Sequence, residues 1–111
     1  MEWEIVYYSE GVQRAIMALP AGLQARYIHL TQRMLLFGPN LGMPHSRAMG
    51  EGLFELRMKS KEGIGRVFYC TLTGHRLMML HAFIKQSAKT PDRDLQVARA
   101  RLREVRADAE S

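Results

Sequence analysis

Five basic side chains recur at alternate positions in the middle of the chain: Arg57, Lys59, Arg66, His81 and Lys85. Alternate residues of a β-strand point to the same face, so this spacing predicts a cationic face shared by neighbouring strands. A guanidinium group can hold two phosphate oxygens, and an imidazole exchanges protons near neutral pH. The set therefore suits phosphate binding and proton transfer, although a register shift of one residue would exchange the faces.

Aromatic and further basic residues accompany this set. Two phenylalanines alternate in phase with the cations, and flat rings stack on nucleic-acid bases of any sequence. The candidate nucleic-acid contacts are Lys59, Phe68, Phe83, Arg47 and Lys89. For Lys59 and Arg47, simple solvation at the surface is the competing interpretation.

The positive charge is concentrated in the same region of the chain. The 111 residues carry 16 Lys and Arg against 11 Asp and Glu, a net charge of +5. Residues 1–44 and 90–111 are each neutral, so the whole excess lies in 45–89. A cationic middle on a neutral scaffold is typical of a surface that binds a polyanion, and an uneven but solvated surface is the alternative.

Composition excludes several other classes of function. The single cysteine, Cys70, cannot form an intramolecular disulfide and fits a reducing cytoplasm. The four histidines are far apart in sequence and give no zinc-site spacing, so we expect no metal and no cofactor. No apolar run approaches the roughly 18 residues of a membrane span, and the start resembles no signal peptide. We expect one domain over residues 1–111, with residues 107–111 frayed.

Hydrophobic periodicity predicts the elements that must position these side chains. Alternating segments indicate strands, and apolar residues at spacings of three and four indicate helices. The predicted order is β-α-α-β-β-β-α: strand 3–8, helices 10–18 and 21–36, a loop over 38–52, strands 53–59, 64–72 and 76–85, and a helix capped by Thr90. This order predicts an α+β fold, with a small, mainly antiparallel sheet, a helical pair on one face and a C-terminal helix.

The periodicity also predicts which side chains are buried. Ser9 should cap the first helix, and a stripe from Leu23 to Phe37 should bury the second. In the strands, we expect the helical pair to cover Phe54, Leu56, Met58, Val67, Tyr69, Met78, Leu80, Ala82 and Ile84. The opposite face should then carry the basic set together with Phe68, Cys70, Leu77, Met79 and Phe83. The buried edge of the last helix should be Leu95, Ala98, Leu102 and Val105.

Several segments in this order resemble one protein family. GLFELRMKS, GRVFYC and LMMLHAFIKQSAKTP are followed by Ala98-Arg99 and Arg101-Leu102 in the terminal helix. The set resembles the RelE/HigB toxin superfamily, and within it the phage-derived HigB-like branch of type II toxin–antitoxin systems. The resemblance covers residues 44–103 in motif detail and implies a RelE-like fold.

The resemblance also implies an activity. Such toxins are cytoplasmic and pair with a helix-turn-helix antitoxin, and most of them contact ribosomal RNA and cleave mRNA in the ribosomal A site. The reaction is an attack of a 2′-hydroxyl on the adjacent phosphate without metal or cofactor, so the implied enzyme is a metal-independent endoribonuclease. Arg57, Arg66 and Lys85 match basic residues of such sites, and His81 is the candidate base. The usual second lysine is replaced by Gln86, and no tyrosine follows the last strand.

The same residues allow other interpretations. His81 lies in an apolar strand, so a structural histidine bonded to backbone or to the terminal helix is as good an explanation as a base. A toxin of the same superfamily that inhibits a protein such as gyrase would need no basic set. A non-catalytic nucleic-acid-binding module, or an inactive prophage remnant that binds only its antitoxin, would also fit the charge pattern.

Overall fold

The computed structural model describes residues 2–86, 89 and 91–110, and it has the expected α+β architecture. The elements in chain order are β1 Glu4–Tyr7, α1 Glu10–Met17, α2 Ala21–Phe37, β2 Ser46–Gly50, β3 Leu53–Ser60, β4 Gly63–Leu72, β5 Arg76–Lys85 and α3 Asp92–Glu110. The strand β2 was not expected, because its segment was assigned to the loop 38–52. It forms by pairing with β3, and that tertiary contact overrides the local glycines and prolines.

The five strands form one sheet in the order β1-β5-β4-β3-β2. The strands β2, β3, β4 and β5 are antiparallel to their neighbours, and only the edge strand β1 runs parallel, against β5. The expectation of a small, mainly antiparallel sheet is therefore confirmed. Short connections fix the β3–β4 and β4–β5 registers, so the side chains of these three strands form well-defined rows.

The helices α1 and α2 pack together on one face of the sheet. The Ser9 hydroxyl accepts a hydrogen bond from the Val12 amide at 3.2 Å, so the predicted cap of α1 is confirmed. The α2 stripe is buried from Leu23 to Met34, and it packs on Leu56, Met58, Val67 and Tyr69. Phe37 is an exception, because it is the last residue of α2 and 73% exposed.

The C-terminal helix α3 packs on the opposite face of the sheet. It buries Ala98 and Leu102 against Leu53, Phe68, Cys70 and Leu80, with Leu95 and Val105 partly buried at the edge, as predicted. The helix continues through Glu110, whereas the sequence predicted a frayed end from residue 107. Thr90, its expected cap, lies outside the described residues. None of the described helices is both long and apolar enough to cross a bilayer.

A β-bulge in β5 corrects the predicted face assignment. Phe68 pairs with His81 but Tyr69 pairs with Met79, so Leu80 is an extra residue on β5. Leu77 and Met79 therefore join the core under the helical pair, whereas Met78 and Leu80 pack towards α3. These four assignments were wrong because regular alternation was assumed through the bulge. Beyond it Ala82 faces the helical pair as expected, and Ile84 is 40% exposed rather than buried.

The turn between β3 and β4 caps the start of α2. Pro20 precedes this helix and has no side-chain acceptor, and the Glu62 carboxylate accepts a hydrogen bond from the Gly22 amide instead. A Cβ atom on Gly22 would lie 2.5 Å from that carboxylate and 2.9 Å from the Ser60 Cβ. The close approach therefore requires glycine at this position.

We expect Gly22→Ala to lower the free energy of unfolding by about 1 kcal/mol or more, because the added methyl group overpacks the turn. Gly11 occupies the same second position of α1, and its Cβ would meet only the Ser9 hydroxyl at 3.5 Å. Gly11→Ala should therefore stabilise by about 0.5–1 kcal/mol, the usual gain in a helix. Urea denaturation of both variants tests this, and stabilisation of both would contradict the argument.

Candidate active site

The strand register brings the basic residues together in two rows. Arg57 on β3 pairs with Arg66 on β4, which pairs in turn with Phe83 on β5. In the next row, Lys59 pairs with Ile64 and Ile64 with Lys85. Residues paired across strands share a face, so the predicted convergence of Arg57, Lys59, Arg66 and Lys85 is present in the structure.

A buried carboxylate lies between the two arginines. Glu55 is 1% exposed, and its Oε1 is 3.8 Å from Arg57 Nη1 and 3.8 Å from Arg66 Nε. The two guanidinium groups would otherwise face each other as like charges directly across the strands, which destabilises a sheet. One carboxylate partly neutralises the pair and leaves the group with a net positive charge.

Arg66 is the most constrained of the basic residues. It is only 6% exposed, and its Nη1 donates a hydrogen bond to the Gly65 carbonyl at 3.0 Å. Its Nε is buried and makes no hydrogen bond within the described part of the chain. Burial lowers the pKa of Arg66, because removal from water disfavours the charged form, and Arg57 adds to this while Glu55 opposes it. The Nε donor therefore faces the Glu55 carboxylate at 3.8 Å rather than the solvent.

Arg57 and Arg66 open into a cavity of about 250 Å³, which we call the basic cavity. Its lining residues come from α2, the loop before β2, and the strands β3 and β4: Arg26, Pro44, His45, Arg57, Lys59, Ile64 and Arg66. The volume is slightly below the roughly 300–1,000 Å³ of pockets that enclose a small molecule. Its size and charge suit a segment of a polymer, such as a sugar–phosphate unit.

Lys85 and Arg47 lie close to this group of charges. Burial is the main reason that the pKa of Lys85 is lowered, and the charges of Arg66, Arg57 and Arg47 lower it further, while Glu55 opposes them. Arg47 also pairs with Glu55 across β2 and β3, which places it in the adjacent row. The positive potential therefore extends from β2 to β5, beyond the cavity itself.

His81 lies apart from the basic cavity. Its Nε2 is 2.6 Å from Asp94 Oδ1 on α3, and its ring stacks on Phe83 at 5.8 Å. It lines a different cavity, between α1, β5 and α3, together with Ser9 and Arg101. This environment fits the interpretation of His81 as a structural histidine bonded to the terminal helix.

The expected aromatic contacts are less accessible than the sequence suggested. Phe68 is 0% exposed beneath α3, so its ring cannot stack on a base in this structure. Phe83 is half-buried and stacks on Phe68 with ring centroids 5.6 Å apart. Lys89 is exposed in the bend before α3 and does not line the basic cavity. The alternation gave the correct face for Phe68 and Phe83, but it carried no signal that α3 covers part of that face.

Two residues of the cavity with ionisable side chains were not among the predicted site residues: Arg26 and His45. Arg26 was missed because its region is neutral in total charge. A signal was nevertheless present, since Arg26 and Arg33 are seven residues apart on α2 and His29 lies between them. All three lower the pKa of His45 through their charges, although burial is the larger cause.

The described residues contain no group of three or more His, Cys, Asp or Glu side chains placed to hold a metal ion. The fold and the cavity together define a small α+β protein with a cationic, partly buried cavity on its sheet. The family model for the phage-derived Gp49-like proteins (DUF891) matches residues 14–103, and the chain belongs to this family. A comparison with curated proteins found no match.

We expect Glu55→Gln to lower the free energy of unfolding by about 3 kcal/mol, because loss of the carboxylate charge leaves two adjacent arginines uncompensated. Glu10→Gln is the matched control, since its pair with Arg14 at 3.8 Å is highly exposed. That change should cost less than about 0.5 kcal/mol. Denaturation in urea measures both, and equal effects would show that Glu55 does not hold the arginines in place.

Proposed function

We propose that this chain is the toxin of a type II toxin–antitoxin system of the HigB-like branch, and that it cleaves mRNA in the ribosomal A site. The Gp49-like family commonly comprises toxins of such systems, with RelE-like folds. The observation that carries the nuclease proposal is the cavity that Arg66 shares with Arg57 and Lys59, three basic residues from two neighbouring strands. This arrangement supports recognition of a phosphodiester at a fixed position.

The proposed reaction is a transesterification within one RNA strand. The 2′-oxygen forms a bond to the adjacent phosphorus and loses its proton to a base. The bond from phosphorus to the 5′-oxygen breaks, and that oxygen takes a proton from an acid. The products are a 2′,3′-cyclic phosphate and a free 5′-hydroxyl, so the step consumes no water and is balanced without a cofactor.

The geometry suggests a role for each basic residue. Arg57 and Arg66 are paired across the strands, so they can hold the two non-bridging oxygens and stabilise the charge of the phosphorane. Lys85 lies one row along, and its lowered pKa makes it a better proton donor to the leaving 5′-oxygen. Lys59, Arg47 and Lys89 are exposed, so they are suited to the backbones of mRNA and ribosomal RNA.

The proposed partners follow from this class of toxin. A helix-turn-helix antitoxin would hold the toxin inactive in the cytoplasm, either by covering the cationic face or by preventing entry into the ribosome. A small helix-turn-helix protein encoded next to this chain would support the assignment. The remaining alternatives are a toxin that inhibits a protein such as gyrase, a non-catalytic nucleic-acid binder and an inactive remnant.

We expect Arg66→Ala and Lys85→Ala to abolish growth arrest on induction and to lower cleavage by ribosome-bound toxin about 10²–10³-fold, because the first removes charge stabilisation from the transition state and the second removes the proton donor to the leaving oxygen. Lys61→Ala is the control, since Lys61 is an exposed residue of the β3–β4 turn. Arg66→Lys keeps a positive charge for the case in which Arg66→Ala does not fold. Circular dichroism and antitoxin binding report the fold of each variant.

Mapping of mRNA 5′ ends after induction separates the alternatives. A nuclease acting in the A site gives new ends at fixed positions within codons, whereas a gyrase inhibitor gives none. A non-catalytic binder would show affinity that falls steeply with salt and no cut product. Full toxicity of both folded variants, Arg66→Ala and Lys85→Ala, would refute the assignment of these residues.

A further inference from the structure

We propose that His45 is the base of the basic cavity, the group that takes the proton from the attacking 2′-hydroxyl. The inference rests on the proposed function and assigns to His45 the role that sequence reasoning gave to His81.

The backbone holds His45 in a defined position. Its amide donates to the Gly42 carbonyl at 3.0 Å, and its carbonyl accepts from the Arg57 amide at 2.8 Å. The next residue, Ser46, is buried, and its hydroxyl accepts hydrogen bonds from the amides of Leu41 at 2.8 Å and Gly42 at 3.1 Å. The loop before β2 is therefore tied to itself and to β3, so the imidazole starts from a fixed backbone beside Arg57.

His45 lies in the same cavity as the residues that would bind the phosphate. His45 lines the basic cavity together with Arg57 and Arg66, the two residues that would hold the phosphate. A base must reach the 2′-hydroxyl adjacent to that phosphate, so a base in the same cavity meets the geometric requirement. His81 does not meet it, because it lines another cavity and its Nε2 contacts Asp94.

The charges around His45 favour its neutral form. On α2 the facing groups are Arg26, His29 and Arg33; on β3 they are Arg57 and Lys59, and on β4 Arg66. No carboxylate lines the cavity among the described residues, and the nearby Glu55 is engaged with Arg57 and Arg66. Burial is the largest reason that the pKa of His45 is lowered, with Arg33, Arg26 and His29 adding to it. The lowered pKa favours the unprotonated imidazole, which is the form that can accept a proton.

The proton transfers of the reaction can then be assigned to two residues. As the 2′-oxygen forms its bond to phosphorus, its proton moves to the unprotonated nitrogen of His45. The negative charge of the phosphorane, held by Arg57 and Arg66, compensates the new imidazolium. As the bond to the 5′-oxygen breaks, Lys85 gives that oxygen a proton. Exchange with water afterwards restores both residues to their starting forms.

The test is a pH profile of mRNA cleavage on ribosomes from pH 5 to 9 for the wild type, His45→Gln and His81→Gln. We expect His45→Gln to lower the rate about 10²–10⁴-fold, the usual contribution of a base, and to remove the acidic limb of the profile. In the wild type, the midpoint of this acidic limb should lie below the ordinary histidine pKa of about 6.5. His81→Gln should keep the limb. Lys61→Gln is the control, since Lys61 is exposed in the β3–β4 turn and lies outside the cavity lining.

A second variant tests the chemistry directly. His45→Ala with added imidazole should regain part of the lost activity, whereas loss of a structural side chain would not be repaired in this way. Antitoxin binding and thermal unfolding establish that each variant folds. If the wild type cleaves and His45→Gln cleaves equally with the same profile, or if the limb disappears in His81→Gln instead, the inference is wrong while the proposed function stands. If the wild type produces no cut ends, both are overturned.

Discussion

The carboxylate of Glu55 is the constraint on which the site depends. Two arginines directly opposite each other on β3 and β4 would repel, and Arg66 is almost fully buried. The shared carboxylate, 3.8 Å from both guanidinium groups, makes the arrangement stable without cancelling its charge. The remaining positive charge lies at the basic cavity, which Arg57 and Arg66 both line.

The rest of the fold keeps this group rigid and partly open. The helices α1 and α2 cover one face of the sheet, and α3 covers the Phe68 and Leu80 region of the other. The basic rows lie further along β3, β4 and β5, where α2 and the loop before β2 form the walls of the basic cavity. Side chains on strands are held more precisely than side chains on free loops, which suits a reaction that needs fixed geometry.

Much of this arrangement could be predicted from local patterns. Alternation in β3 and β4 predicted the correct faces of these strands, because a residue's position along a regular element decides which way it points. The apolar stripes of the helices predicted the side chains that α2 and α3 bury against the sheet. Prediction failed where contacts distant in sequence decide. The bulge at Leu80 depends on the β4–β5 register, β2 depends on pairing with β3, and the burial of Phe68 depends on the docking of α3. No local pattern encodes these three features.

The two histidines show why residue type and face are insufficient to assign chemistry. His81 has the expected face, yet the docking of α3 brings Asp94 to its Nε2 and turns it into a link between helix and sheet. His45 is in a segment rich in glycine and proline, yet its backbone is bonded to β3 and its ring faces the cations of α2. His45 lines the same cavity as Arg57 and Arg66, whereas the His81 ring lines another cavity and contacts Asp94. The contacts around each ring, more than its strand position, therefore make His45 the better candidate for the base of the proposed reaction.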